Sequence, residues 1–467
     1  MVVKALSKLK LESRHLLLCY LTAVLVRLIF VGIFPGTNYF GGVSERCLDV
    51  AKNVVDGKGY VFYVNVAPFG QPDHFVYEPF IDKPIGYPTF LAVIFFITGY
   101  SPIAAQIIQL LLVSLGVIVI YKLVLLFGVE RKYALSAAML AALWPNHARF
   151  EVTLLPEAVM PLLLISSCYL IVRSIKALQS GSSSKRSNWS LWSAGLILGL
   201  GVLSRPDIMF LPIFMFAGIA LVDGLKFTFK IMLPVFIVFY GIIGLHTIRN
   251  YSLTNEIIPL GYSNGTVLWQ GISQFGDTLG TVYSDYRIAH HEGYPSILYP
   301  NGIARDRKRF TEAVSIIKEH PLFYLSLIPR RIPLLLVPRG LLVQDNPLPR
   351  TSDKEDFPQH FAKGFASELT ESPVRASVKI FSALSGVLLF ISALIGFVKF
   401  RKSIKLLYLP ALMSVYFIAV LLPINAEARY FFPAVVFLFP LAILAFKQKK
   451  LQSRPLSLTK LAKNTQN

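Results

Sequence analysis

The sequence predicts an all-α polytopic membrane protein of about ten transmembrane helices, within a range of about ten to thirteen, with juxtamembrane helices on its outer side. Three observations lead there. Of the 467 residues, 54% are apolar and 13% aromatic while only 15% are charged, and mean hydropathy is +0.58. A soluble domain carries about a quarter charged residues. The apolar residues fall in repeated runs long enough to cross a bilayer. Basic residues outnumber acidic ones 46 to 26, a net charge of +20, yet they form short clusters between apolar runs rather than one stripe. That is the positive-inside pattern of a membrane protein, and it argues against nucleic acid as a partner. Cys19, Cys47 and Cys168 are far apart and lack metal-ligand spacing, so no disulfide framework, zinc site or redox chemistry is expected.

Taken in order, the basic segment MVVKALSKLKLESR precedes an apolar run from His15 to Pro35. No small-residue cleavage site follows, so this reads as an uncleaved first span with a cytoplasmic N-terminus. Further spans are expected over 102–127, 133–150, 156–174, 229–247, 376–399, 404–423 and 430–447, and shorter runs over 190–204 and 207–223 meet at Arg205-Pro206-Asp207. Basic clusters at 131–132, 173–186, 226–230, 399–405 and 447–463 mark the cytoplasmic ends. The apolar segments 86–99 and 322–345 do not fit this alternation and read as in-plane helices. The resulting division is a transmembrane module over 1–250 that includes outer loop 36–101, an outer loop with an in-plane segment over 251–375, C-terminal helices over 376–447 and a basic cytoplasmic tail over 448–467. No repeat at a fixed period appears, which weakens an inverted-repeat transporter reading.

The first outer loop contains SERCLDVAKNVVDGKGY, 44–60. Ser44 suits an N-cap, Leu48, Ala51 and Val55 recur at helical spacing, and Gly57 and Gly59 stop the helix. Glu45 and Asp49, one turn apart, share its polar face with Lys52 and Asp56, either as a solvated face or as the acid of a site. IDKPIGYP, 81–88, sets Lys83 where a lipid phosphate lies, either as a headgroup anchor or as that phosphate's cation. Pro156 and Glu157 open a span, where the carboxylate caps the helix dipole or faces the first loop. Arg205 ends the span containing Gly195 and Gly199, Arg249 ends the following long span, and Glu427, Arg429 and Tyr430 begin the last. Singly these cations are interfacial anchors. Together Lys83, Arg205, Arg249 and Arg429 gather on the side where the positive-inside rule disfavours them, and a shared anionic ligand accounts for that.

The order of these motifs resembles the GT-C superfamily of membrane glycosyltransferases, in the branch of the protein O-mannosyltransferases and lipid A aminoarabinose transferases. The resemblance covers 16–250 and returns at 425–433. It rests on an acidic first loop ending in A-x-N-(x)3-G-x-G-Y (Ala51 to Tyr60), then Asp82-Lys83-Pro84, L-x-P-E (Leu154 to Glu157), Ser204-Arg205-Pro206, Arg249-Asn250-Tyr251 and E-x-R-Y-x-x-P from Glu427. It implies an enzyme, a hexosyl or pentosyl transferase, moving a sugar from a polyprenyl-phosphate donor to an acceptor hydroxyl of a glycan, lipid or protein on the non-cytoplasmic side. One base and no protein nucleophile imply inversion. The first-loop acid would be the base, Glu157 would bind or orient the acceptor, and Lys83 with Arg205, Arg249, Arg429 and Tyr430 would hold the donor phosphate. In relatives the first-loop acid falls at the position of Val43, so here the role passes to Glu45, the nearer, or to Asp49. A divalent metal stays open: Glu45, Asp49 and Glu157 could ligate one, and no spacing demands it. The membrane is that of a bacterial-type inner membrane, or the endoplasmic reticulum in a eukaryote, where Asn250-Tyr-Ser and Asn264-Gly-Thr match the glycosylation sequon. The alternatives are a secondary transporter or flippase of lipid-linked sugars, which would put ionisable residues mid-span, and an inactive carrier-binding scaffold.

Overall fold

A computed structural model describes residues 2–33, 42–181, 185–336 and 373–448. The expected polar stretch 346–374 and tail 448–467 lie almost wholly outside the described residues. Helix α1 (Val2–Ile33) precedes α2 (Gly42–Val55), a hairpin of β1 (Val61–Asn65) and β2 (Phe75–Pro79), and α3 (Gly86–Thr98). Next come α4 (Pro102–Val113), α5 (Gly116–Leu126), α6 (Arg131–Leu143), α7 (Pro145–Glu151), α8 (Pro156–Gln179), α9 (Lys185–Val202), α10 (Leu211–Asp223) and α11 (Leu225–Thr254). A block of α12 (Asn264–Ile272), α13 (Asp285–Glu292), α14 (Gly302–Glu319) and α15 (Pro321–Leu336) follows. The chain then returns to long apolar helices: α16 (Pro373–Phe400), α17 (Tyr408–Ile424), α18 (Ala428–Val435) and α19 (Leu438–Ala442).

Among the described residues seven helical stretches are long and apolar enough to cross a bilayer, and an eighth forms if the pair Arg429–Val435 and Leu438–Phe446, bent by 51°, is one broken span. Their outward faces carry Leu17, Leu21 and Leu25 on α1 and Phe229, Leu233, Ile237 and Leu245 on α11, all exposed. Apolar surface on that scale needs lipid rather than water beside it. The two remaining expected spans are helical but differ in form. Residues 133–150 divide into α6 and α7 at Trp144-Pro145, where Trp144 is extended at ψ 115° because a residue before proline avoids the helical region. The run 190–204 is the apolar end of α9, whose first turns are polar. Its Gly195 lets α11 approach closely, since a Cβ there would stand 3.0 Å from the Val235 carbonyl oxygen.

Helix α3, at 13 residues, is about 20 Å long and short of a ~30 Å hydrocarbon slab. Its Phe96 and Ile97 are 81% and 76% exposed, a face suited to lying in the interface. Segment 322–345 appears as α15, with Pro329 and Pro333 inside it, and 337–345 lies outside the described residues. Helix α2 begins before Ser44, so that residue does not cap it; the Ser44 hydroxyl donates instead to the Leu154 carbonyl at 2.8 Å. Gly57, at φ +77°, takes the left-handed conformation that ends the helix. The hairpin after it, paired Val61↔Pro79 through Asn65↔Phe75, was not foreseen. Its Phe62 packs edge-on to Phe80 at 6.2 Å and Tyr299 at 5.0 Å, tying the first loop to the α13–α14 connection.

The span interiors also hold an ionic group passed over in the sequence. Arg27 of α1 donates through Nε to Glu151 Oε2 of α7 at 2.7 Å, and His147 Nδ1 lies 3.5 Å from Glu151 Oε1, all three nearly inaccessible. The opposite charges close on each other within the fold, as intramembrane charges must.

The charge bias places the hairpin and the α12–α15 block on one side and the α5–α6 and α10–α11 turns on the other. Single cysteines at Asp73 and Asn264 are therefore expected to react with an impermeant thiol reagent on intact cells, and cysteines at Lys132 and Lys226 only after permeabilisation. Reaction of Asp73 and Lys132 from the same side would overturn this topology.

Candidate active site

The buried stripes of α2 decide which of its side chains reach the protein interior. Cys47, Leu48 and Ala51 pack against Tyr87 and Leu91 of α3 and against Leu154. This turns Arg46 toward the segment leading into α3, where its Nη1 meets Asp82 Oδ2 at 2.9 Å and the Asp82 side chain has no solvent exposure. The Asp82 carbonyl accepts from Ser263 Oγ at 2.9 Å, but its carboxylate Oδ1 is buried with no hydrogen-bond partner among the described residues. Lys83 follows, and no described residue gives its ammonium a hydrogen bond or ion pair. Burial pulls the Lys83 pKa below the usual lysine value, the nearby Arg46 charge adds to that, and Asp82 and Glu157 oppose it.

Glu157, in the first turn of α8, faces the same space. Arg205 Nη1 lies 2.5 Å from Glu157 Oε1, and Arg205 Nη2 lies 2.9 Å from Asp207 Oδ2. The Arg205 guanidinium stacks 5.0 Å from the Tyr430 ring, whose other cation is Arg429 at 4.7 Å. Arg429 Nε meets Glu427 Oε2 at 2.6 Å, and Tyr283 donates its hydroxyl to Glu427 Oε1 at 2.7 Å. Burial and the Glu427 charge push the Tyr283 phenol well above its usual value, so it remains a donor. Arg205, Arg429 and Lys83 all act on the Glu157 carboxylate.

Two backbone junctions hold these groups in register. Gly86 N donates to the Leu203 carbonyl at 2.6 Å, which locks the Lys83 segment against the end of α9 that carries Arg205. A Cβ at Gly86 would stand 2.5 Å from that oxygen. Gly86→Ala is thus expected to cost about 1–3 kcal/mol and to lower turnover with it; thermal unfolding and rate measured together check this. At the other junction Gln274 Nε2 donates to the Ala426 carbonyl at 2.6 Å, and the buried Arg331 donates to Gln274 Oε1 at 3.0 Å and to the Leu422 carbonyl at 2.8 Å. The segment entering α18 is fixed by residues of the α12–α15 block, a region in which the sequence offered no motif.

Comparison with known proteins bears on this arrangement. The family profile described as dolichyl-phosphate-mannose-protein mannosyltransferase matches residues 82–248, from Asp82 to the residue before Arg249. The fold is similar to that of the Archaeoglobus fulgidus oligosaccharyltransferase in complex with zinc and sulfate, at 12% identity and TM-score 0.50 over 92% of this chain and 48% of that one. It is similar again to the archaeal oligosaccharyltransferase AglB from the same organism in complex with an inhibitory peptide and a dolichol-phosphate, at 14% identity and TM-score 0.51 over 94% and 50%. The profile covers about a third of the chain, and beyond it the likeness is one of fold. The chain spans about half the length of these solved oligosaccharyltransferases, and at such identity they establish the fold alone. No curated protein matches the sequence.

Within this fold the expected site residues separate into two sets. Lys83, Glu157, Arg205, Arg429 and Tyr430 come together. Glu45 and Asp49 do not join them: with positions 44, 47, 48 and 51 and positions 46, 50 and 53 turned inward, Glu45, Asp49, Lys52 and Asp56 are left on the exposed face of α2. Partial burial and the Glu45 charge raise the Asp49 pKa, and the other residue it acts on is Tyr100, after α3. Arg249 also stands apart. It donates to the Phe80 carbonyl at 3.2 Å and to Asn250 Oδ1 at 2.8 Å and lies over the Tyr60 ring, bracing the hairpin base. Asn250 is wholly buried, so its sequon is closed to modification, while Asn264 is exposed.

Arg46, Asp82, Asp207, Glu427 and Tyr283 also stand in this cluster and were not selected from the sequence. Asp82, Asp207 and Glu427 each lie within two residues of a selected cation, which was the available signal; Arg46 and Tyr283 had none. As to a metal, no group of three or more His, Cys, Asp or Glu side chains among the described residues is placed to hold one. The Glu45–Asp49 pair is exposed, Glu157 faces Arg205, and burial pushes the Cys47 thiol up to about 12. Glu45, Asp49 and Glu157 are therefore not brought together as one ligand set among the described residues.

Proposed function

We propose that this GT-C protein moves a sugar from a polyprenyl-phosphate donor to an acceptor hydroxyl on the non-cytoplasmic side, with inversion. One observation carries the reading: the consecutive residues Asp82 and Lys83 present a buried carboxylate oxygen without a hydrogen-bond donor beside an ammonium that has no hydrogen bond or ion pair among the described residues. An unpaired buried polar group costs about 1–3 kcal/mol, so each half of this pair calls for a ligand group. An incoming hydroxyl supplies the missing donor, and a lipid phosphate supplies the missing anion.

In this reading the acceptor hydroxyl gives its proton to Asp82 Oδ1 as its oxygen bonds to the anomeric carbon from the face opposite the phosphate. The bond from that carbon to the phosphate oxygen breaks, and Lys83 takes up the charge left on the lipid phosphate. A positioned base of this kind is worth ~10²–10⁴ in rate. Arg46 holds the other Asp82 oxygen, and Glu157, fixed by Arg205, orients the acceptor. The profile match and the GT-C relative bound to dolichol-phosphate and a peptide support a lipid-phosphate donor and a glycan or protein acceptor. A flippase is disfavoured because the intramembrane ions on α1 and α7 are closed on each other rather than lining a path. The setting is a multi-pass membrane protein, of a bacterial-type inner membrane or, in a eukaryote, of the endoplasmic reticulum.

The test is turnover of a radiolabelled polyprenyl-phosphate sugar by the purified protein, set against sugar uptake into proteoliposomes. Transfer to water or to an added acceptor with release of the lipid phosphate is expected. Uptake without release would place the protein among the flippases.

A further inference from the structure

Four consecutive carbonyls lead into the turn that carries Glu157, and each is held by a side chain from another element. Gln109 Nε2 donates to the Glu151 and Thr153 carbonyls at 2.9 and 2.7 Å, Gln106 Nε2 donates to the Val152 carbonyl at 2.7 Å, and Ser44 Oγ takes the Leu154 carbonyl. This segment joins α7 to α8, where a helix end leaves carbonyls unpaired, and within a bilayer such groups must be met inside the protein. Capping accounts for the amide nitrogens of Gln106 and Gln109. It does not account for the other end of Gln109, whose Oε1 accepts from the Tyr87 hydroxyl of α3 at 2.8 Å. Burial pushes the Tyr87 phenol well above its usual value, so it is the donor, and Gln109 then uses its oxygen and both amide hydrogens. Gln109 has no exposure and Tyr87 is 1% exposed.

Tyr87 stands four residues after Lys83, and Glu157 stands four residues after Thr153. Gln109 thus bridges the segment with Asp82 and Lys83 to the segment with Glu157. It does so from α4, a helix without a charged residue of its own.

We infer that Gln109, together with Tyr87, is a positioning residue that sets Glu157 in register with the Asp82–Lys83 pair, so that an acceptor hydroxyl and a lipid phosphate meet at reacting distance. Its effect on rate rests on the transferase reading; its effect on the spacing of the charged groups does not. Each half of the site keeps its own contacts without the bridge, so losing it should lower kcat more than binding, as a small misplacement of reacting groups does.

In the full-length protein Tyr87→Phe, which removes one oxygen, is expected to lower kcat about tenfold while the acceptor KM and the affinity for polyprenyl phosphate stay within about twofold. Gln109→Met should lower kcat at least as far, and Tyr87→Phe should add nothing in that background, because the hydroxyl has lost the group through which it acts. A second readout needs no turnover. Burial and the Arg46 charge lower the Lys83 pKa, and Asp82, Cys47 and Glu157 oppose them. Loosening Glu157 lowers the folded-state value further, so the rise of unfolding temperature with pH in the ligand-free protein should begin at lower pH in Tyr87→Phe than in the parent. Glu157→Gln should shift that onset the same way, with Tyr87→Phe adding nothing to it. A parent-like pH onset in Tyr87→Phe, or a parent-like kcat in an active protein, would leave the bridge a structural cap and overturn the inference. Losses that multiply in the Tyr87→Phe, Gln109→Met double variant would overturn it too, since the two would then act independently. A parent that transfers no sugar, with the onset shifted as expected in Tyr87→Phe, would overturn the transferase reading and uphold the bridge.

Discussion

Asp82→Asn is expected to lower kcat at least ~10²-fold, because the amide keeps the shape and a hydrogen-bonding oxygen but accepts no proton from the attacking hydroxyl. Donor binding should change little, since Lys83 is untouched. The same measurement on Glu45→Gln and Asp49→Asn should give rates within about twofold of the parent, as for surface substitutions away from structural features. The contrast is needed because the superfamily resemblance points to an acid in the first loop, whereas the folded α2 turns Arg46 and Cys47 inward and both of its acids outward. Thermal unfolding of each variant separates a lost base from a lost Arg46–Asp82 pair. A severe Glu45→Gln effect beside a mild Asp82→Asn effect would return the base to α2 and overturn the role of Asp82.

Lys83→Ala should weaken binding of the carrier lipid phosphate about tenfold to a hundredfold, the ~1.5–3 kcal/mol of a hydrogen bond to a charged group, with a smaller effect on the bound-state rate. Its pH dependence has two opposite signs. Burial lowers the Lys83 pKa in the folded chain relative to the unfolded one, where it is about 10.4. The unfolded state therefore binds more protons between the folded and unfolded values, and the ligand-free protein gains stability as pH rises through that window. Lipid-phosphate binding needs the ammonium and is lost as pH rises through the folded value, with bound phosphate shifting that loss upward. Lys83→Arg, which stays charged, should hold its affinity across the window. Affinity of the parent that stays flat to the ordinary lysine pKa would remove Lys83 from the phosphate site.

The apolar runs and basic clusters carried the membrane class and most of the spans, because lipid-facing helices must be apolar along their whole length and topology follows charge at the ends. Pro156, Glu157, Arg205 and Arg429 were legible because prolines and glycines mark helix ends, and a cation at an outer end is unexpected there. The hairpin, with its short, partly exposed strands, gave too weak an alternation to be seen. Tertiary structure alone decided which face of α2 is buried: Glu45, Arg46 and Asp49 lie within a single helical turn or so, and the packing of Cys47, Leu48 and Ala51 on α3 selects Arg46. It alone brought Tyr283, Gln274 and Arg331 from a motif-free region to the entry of α18, and it set Arg249 against the hairpin instead of the charged cluster. Sequence spacing fixes where a side chain sits along one helix, but which charges meet depends on contacts between distant segments, and those are set only when the apolar faces pack.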